Sequence, residues 1–233
     1  MNACYLGNQI YLGNKIVISI IYTANRFLVV GGYLASSSLP STEVIDLANS
    51  SLSCDSFGEL ETARSYSVGG VLENTPIVCG GYSSLISQTC LIFGQSQSVT
   101  MTEVRYGAAS DVLNTTTMWV MGGYWSGNYL KSTEFITLET SVSGPSLPYK
   151  IGFACVVKFN ESQIYLIGGY YKDWSDNSHF VYIFNPLDNF SYKRGPDMNY
   201  RRQFHGCAVM HDGDTTVIVS AGGKGRLYTR VIC

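Results

Sequence analysis

The sequence predicts an all-β protein built from about five repeats of four strands, on three observations. First, an apolar, β-branched run closing in two glycines recurs as Val29-Val30-Gly31-Gly32-Tyr33, Ile77-Val78-Cys79-Gly80-Gly81-Tyr82, Val120-Met121-Gly122-Gly123-Tyr124, Leu166-Ile167-Gly168-Gly169-Tyr170 and Val219-Ser220-Ala221-Gly222-Gly223. The first glycines are 49, 42, 46 and 54 residues apart, near the period of four-stranded blades set around an axis. Second, Ser41-Thr42-Glu43-Val44-Ile45-Asp46-Leu47 returns as Ser132-Thr133-Glu134-Phe135-Ile136-Thr137-Leu138. Third, 24 glycines and 17 tyrosines among many Ser and Thr make a strand-and-turn composition. Each run reads as a buried strand whose last residues need positive φ or room for a neighbouring backbone.

Residues 1–14 fit no complete repeat and are expected to supply one closing strand. The first repeat, 15–63, places strands near Ile16–Tyr22, Phe27–Gly32, Ser41–Leu47 and Leu52–Phe57. The apolar run Ile16–Tyr22 follows Lys15 but is short and sits where a first strand belongs, so it is read as a strand and not as a signal segment. The second repeat, 64–104, has strands near Ser65–Leu72, Ile77–Gly81, Thr89–Phe93 and Ser98–Met101. The third, 105–149, passes Met118–Gly123 and the Ser-Thr-Glu echo and closes at Gly144-Pro145-Ser146-Leu147-Pro148. The fourth, 150–200, places strands near Phe153–Lys158, Ile164–Gly169, Phe180–Phe184 and Phe190–Tyr192. Gly195-Pro196-Asp197-Met198 leads into a partial fifth repeat, 201–233, opening at Arg201-Arg202.

From about Lys15 to Gly223 the chain resembles kelch-repeat proteins, whose blades carry an apolar run ending in Gly-Gly and a basic approach to the next blade. The resemblance implies a kelch-type β-propeller in which Gly31, Gly32, Gly80, Gly81, Gly122, Gly123, Gly168, Gly169, Gly222 and Gly223 are structural. The fourth-strand tryptophan of typical kelch blades is absent, with Phe57 and Phe190 as its nearest substitutes. Four complete repeats and one partial leave either a small five-bladed ring or an open ring, as in a fragment of a longer protein. The second of these is favoured.

Charged residues are 14% of the chain and the net charge is −2. There is no basic excess to neutralise phosphates, so nucleic acid is not an expected partner. No apolar run approaches the roughly 20 residues of a membrane-spanning helix. Of seven cysteines, Cys79 closes a second strand and Cys90 opens a third, which sets them opposite each other in an antiparallel hairpin at disulfide range. Cys155 and Cys207 each follow a repeat's opening basic residue by five positions and are read as equivalent buried thiols, the alternative being a bridge between blades. Cys54 has no assignable partner. Sequons at Asn49, Asn114, Asn160 and Asn189 fall between strands. With the cysteine pair they predict an extracellular or secretory setting, the alternative being cytoplasmic.

No catalytic or metal site is expected. His179, His205 and His211 have no metal-ligand spacing with cysteine or carboxylate, and the double glycines are followed by tyrosine and not by a phosphate-binding helix. No cofactor is predicted. The kelch resemblance implies that the loops after each double glycine and the segments entering each first strand meet on one face. The first set brings Tyr33, Tyr82, Tyr124, Trp125, Tyr170, Tyr171 and Trp174, the second Arg64, Arg105, Lys150, Arg201 and Arg202. Aromatic and cationic groups alternating around a mouth suit a protein or acidic, partly apolar peptide ligand. The competing reading packs the tyrosines between blades and spends the basic residues on turns. The expected function is non-enzymatic recognition. Two other readings are the substrate-recognition domain of a cullin-type ubiquitin ligase adaptor and, remotely, a copper radical oxidase-like enzyme.

Overall fold

The computed structural model describes residues 4–6, 9–12, 15–23, 26–34, 36–46, 55–84, 87–171, 176–212, 215–224 and 231–232. Asn49, Cys54 and Trp174 lie outside them. Every regular element is a β-strand and all pairing is antiparallel. No helix is long and apolar enough to cross a membrane.

The strands form successive antiparallel sheets, each wound in chain order. The second is Val68–Leu72, Thr75–Cys79, Thr89–Ile92 and Ser98–Thr100. The third is Ala109–Asn114, Thr117–Met121, Thr133–Ile136 and Ser141–Ser143. The fourth is Cys155–Asn160, Gln163–Ile167, Val181–Asn185 and Ser191–Arg194. The fifth has three strands, Gly206–Asp212, Thr215–Ala221 and Val231–Ile232. In the first, Lys15–Thr23, Arg26–Leu34, Ser41–Asp46 and Asp55–Glu59 occupy the same four places. The strands Cys4–Leu6 and Gln9–Leu12 extend this first sheet beyond Lys15–Thr23. The described residues of the amino-terminal segment thus pair with the first sheet. A run of apolar residues that includes Ile16 to Ile21 offers it a ready hairpin edge.

The first strands of consecutive sheets lie against one another, from Lys15–Thr23 through Val68–Leu72, Ala109–Asn114 and Cys155–Asn160 to Gly206–Asp212. Cys4–Leu6 reaches Gly206–Asp212 from the other side. Apolar residues of alternate parity fill the four spaces between successive sheets. Leu28, Val30 and Val78 fill the first, Leu72, Ile77 and Val120 the second. Trp119, Leu166 and Phe184 fill the third, Ile167, Val181 and Met198 the fourth.

The double glycine is the joint between sheets. The amides of Gly32, Gly81, Gly123 and Gly169 donate to the carbonyl oxygens of Arg64, Arg105, Ile151 and Arg202 at 2.8–3.0 Å. At Gly80, φ is 64° and a Cβ would stand 2.6 Å from the Arg105 carbonyl oxygen, so both requirements hold at once. Gly222 keeps the same φ region, 73°, and among the described residues its added Cβ would meet nothing within 4 Å.

This pattern corrects the register of the fourth repeat: Ile151, not Lys150, receives the Gly123 amide, and in the fifth it is Arg202, not Arg201. Cys155 is therefore four residues beyond its joint residue and Cys207 five. Side chains one residue apart on a strand point to opposite faces, so the two cysteines face each other across the gap between sheets. They lie at disulfide distance, with S–S 2.03 Å and Cα–Cα 5.9 Å, in place of two buried thiols. Cys79 and Cys90 are direct cross-strand neighbours with S–S 2.06 Å, and both are fully buried.

Candidate functional site

The segment entering each first strand crosses close to the shared inner edge of the sheets. Its residue two places after the joint residue is Tyr66, Gly107, Phe153 or Phe204, each left-handed, with φ of 56°, 61°, 55° and 53°. These residues link successive repeats: Gly107 N donates to Tyr66 O at 2.9 Å, Phe153 N to Gly107 O at 2.7 Å, and Phe204 N to Phe153 O at 3.1 Å. Glycine meets this backbone demand without strain, whereas a bulky aromatic at positive φ is an outlier. Three of the four repeats nevertheless carry an aromatic ring there.

The rings gather into one cluster. Phe153 and Phe204 have centroids 4.3 Å apart, and Tyr66 stands 5.8 Å from Phe153 and 6.1 Å from Phe204. Tyr106 approaches both Tyr66 and Phe153 within 6.0 Å. Around this floor stand the residues that follow the double glycines. Tyr82 and Tyr124 lie 5.6 and 5.3 Å from Tyr106, and Tyr33 lies 6.1 Å from Tyr66. Backbone bridges Ser65 to Tyr82, Tyr106 to Tyr124 and Gly152 to Tyr170 hold each wall residue beside its own first strand. In the fifth repeat the bridge joins Gln203 to Lys224, so the wall residue there is a lysine.

Two of the loops project further as small ladders, Tyr124–Trp125 with Asn128–Tyr129 and Tyr170–Tyr171 with Asp176–Asn177. Trp125 and Tyr82 are 40% and 38% exposed, which makes them the outermost aromatic groups of the mouth. Tyr170 and Tyr129 are buried against each other at 5.4 Å. Tyr171 packs on Phe180 and Tyr149 at the outer side of the fourth sheet. Burial, reinforced by the neighbouring tyrosines, pushes the Tyr106 hydroxyl up to about 12 and raises Tyr66 and Tyr129 as well. These phenols are neutral donors and acceptors at physiological pH.

The arginines lie elsewhere. Arg64, Arg105 and Arg202 are 2%, 1% and 4% exposed and point into their own sheets. Their Nη1 groups donate to Gly80 O, Gly122 O and Gly222 O, the carbonyls of the first glycines. Each arginine therefore ties its own double glycine while its carbonyl receives the preceding one. This places the three guanidinium groups in the frame and not at the mouth, because a strand-end carbonyl buried there must have a donor. Arg105 is also paired with fully buried Glu134 at 2.7 Å. Burial works to raise the Glu134 carboxyl; hydrogen bonds from Ser141 and Thr102 and the Arg105 charge outweigh it and hold the carboxyl below its usual range. Among the described residues the acceptors of Arg64 are neutral, Gly80 O, Thr89 O and Thr89 Oγ1, and burial lowers it to about 10. Lys150 and Arg201 are exposed at the entry to the fourth and fifth repeats, and Lys224 is exposed beside them.

The structure thus brings Tyr33, Tyr82, Tyr124 and Trp125 to one mouth, and seats Tyr170 and the three arginines beneath it. Sequence reasoning missed the floor, Tyr66, Tyr106, Phe153 and Phe204. The signal was present, since an aromatic recurs two residues after the joint residue in three repeats. Between the first strands, Ser67, Ser110, Ala108, Ala154 and His205 line a cavity of about 30 Å³, room for one or two water molecules. Among the described residues no three His, Cys, Asp or Glu side chains converge as metal ligands.

Among solved structures the chain is similar to one titled "Structure of YjhT", with a TM-score of 0.74 at 10% identity over 96% of this chain and 89% of that one. At this identity the likeness concerns the fold alone, and it is consistent with a β-propeller. No family model and no curated protein matches the sequence.

Proposed function

We propose that the sheets are the blades of a kelch-type propeller, five around one axis, and that the protein is a non-enzymatic recognition module for a protein or peptide. The observation that carries this is the aromatic mouth. Three repeats hold a bulky ring at positive φ, a cost of about 1–3 kcal/mol each that glycine would avoid, and all three rings serve one surface. Tyr and Trp give rigid contact area at low entropic cost, and the phenols add hydrogen bonds without charge. Lys150, Arg201 and Lys224 put exposed cations along the fourth and fifth blades, which suits a segment with an apolar centre and an acidic flank. The two cysteine pairs favour an extracellular setting.

A photo-crosslinking residue at Trp125, and in a second protein at Leu187 on the far end of the blades, tests the reading with the full chain in native extracellular fluid. The expected result is a discrete polypeptide captured from position 125, absent at position 187, and lost when Tyr82 and Tyr124 are replaced by alanine. Capture from 187 with none from 125 overturns it.

A further inference from the structure

We propose that Asn114, Asn160 and Asn189 carry N-linked glycans and that these are confined to the end of the molecule opposite the aromatic mouth. Strand order dictates the geometry. In an antiparallel four-strand winding, the turn between strands one and two and the turn between strands three and four lie at one end, and the double glycines lie at the other. Asn114 closes the first strand of the third sheet, Asn160 closes the first strand of the fourth, and Asn189 lies in the third turn of the fourth, between Val181–Asn185 and Ser191–Arg194. All three are exposed. On the mouth side, Asn128 and Asn199 have Leu130 and Arg201 two residues on, where a sequon needs Ser or Thr.

Asn114 and Asn160 hold the same local geometry. Each Oδ1 accepts from both the amide and the hydroxyl of the residue two places on, Thr116 or Ser162, at 2.9 and 3.0 Å. That arrangement leaves Nδ2, the atom that takes the sugar, outside the turn's own bonding at Asn114. At Asn160, Nδ2 spends one hydrogen on Gln163 Oε1 and has a second to lose. In the transfer, Nδ2 bonds to the anomeric carbon of a lipid-diphosphate-linked oligosaccharide. The bond from that carbon to the diphosphate oxygen breaks, the lipid diphosphate leaves, and one amide proton passes to the transferring enzyme's base. The native turns survive because every Oδ1 contact is kept.

The proposal is independent of what the mouth binds. The test uses the folded full chain secreted from eukaryotic cells, before and after peptide-N-glycosidase, so no variant need fold. Peptide mapping is expected to find aspartate at 114, 160 and 189 only after release. Hydroxyl-radical labelling is expected to rise at Leu187, 75% exposed and two residues from Asn189, and to stay level at Tyr82 and Trp125. Unmodified asparagine at the three positions, or labelling that rises at Tyr82 and Trp125, overturns it.

Discussion

Gly80 and Gly222, each the first of its double glycine, differ in what they are for. A side chain at Gly80 would collide with the Arg105 carbonyl and hold a left-handed φ; at Gly222 the left-handed φ stands without a contact from any described residue. Gly80→Ala should cost about 3 kcal/mol, strain plus overpacking, and Gly222→Ala about 1–2 kcal/mol. Urea denaturation midpoints check the difference, and equal losses would show that the joint is not a close approach. His205, buried, and Asp111, half-buried, work against each other as pH falls. Burial and then the Arg202 charge depress His205 from 6.5 to about 3, so its folded state binds fewer protons and stability is lost as pH falls below about 6.5. Asp111 opposes this: burial raises it from 3.8 to about 6 against the Lys158 and Val112 amides, so its contribution falls as pH rises between those values. Asp111→Asn should therefore steepen the acid loss between about pH 4 and 6 by up to about 1.4 kcal/mol per pH unit. Parallel stability profiles of the two proteins would contradict it.

At the scale of strands and sheets, the period and strand order were legible because five double glycines repeat a demand that only one residue type meets cheaply. The register of the fourth repeat was not. Lys150 is the only basic residue near that joint, and the eye takes it for the arginine position that Ile151 fills. The single-residue slip reversed the facing of Cys155 and hid its pairing with Cys207. Phe153, in step with Tyr66 and Phe204, held the correct count. The roles of Arg64, Arg105 and Arg202 were also out of reach, since a basic residue at a loop reads alike whether it faces solvent or caps a carbonyl. Cys207→Ser removes a link across 52 residues, about 4 kcal/mol by chain entropy. Hydrogen exchange should accelerate in Gly206–Asp212 while Val68–Leu72 is unchanged; uniform acceleration would show that the link serves the whole molecule and not one sheet.

For the whole molecule, the four apolar interfaces and four glycine joints run from the first sheet to the fifth without interruption. Repeat structures of this kind are stabilised by nearest neighbours, so sheets flanked on both sides should open last. Native-state hydrogen exchange should be slowest in Ala109–Asn114 and faster in Gly206–Asp212, even with both cysteine pairs intact. The reverse order would mean that the contact from Cys4–Leu6 makes a fifth joint as strong as the others. The aromatic floor spans these units, with Tyr66 and Phe204 meeting from the second and fifth repeats.

The joint at Gly222, where an added Cβ would meet no described residue, has a mechanical consequence. Added bulk at Gly31, Gly80, Gly122 or Gly168 would meet a neighbouring backbone carbonyl, so those four joints hold their sheets at a fixed spacing, and the fifth should yield first. Phe204 belongs to the same repeat and would ride with it, while the Cys155–Cys207 link ties the first strands of the fourth and fifth sheets together. Adjustment of the aromatic cluster is then expected on the side where Lys224 stands in place of a tyrosine.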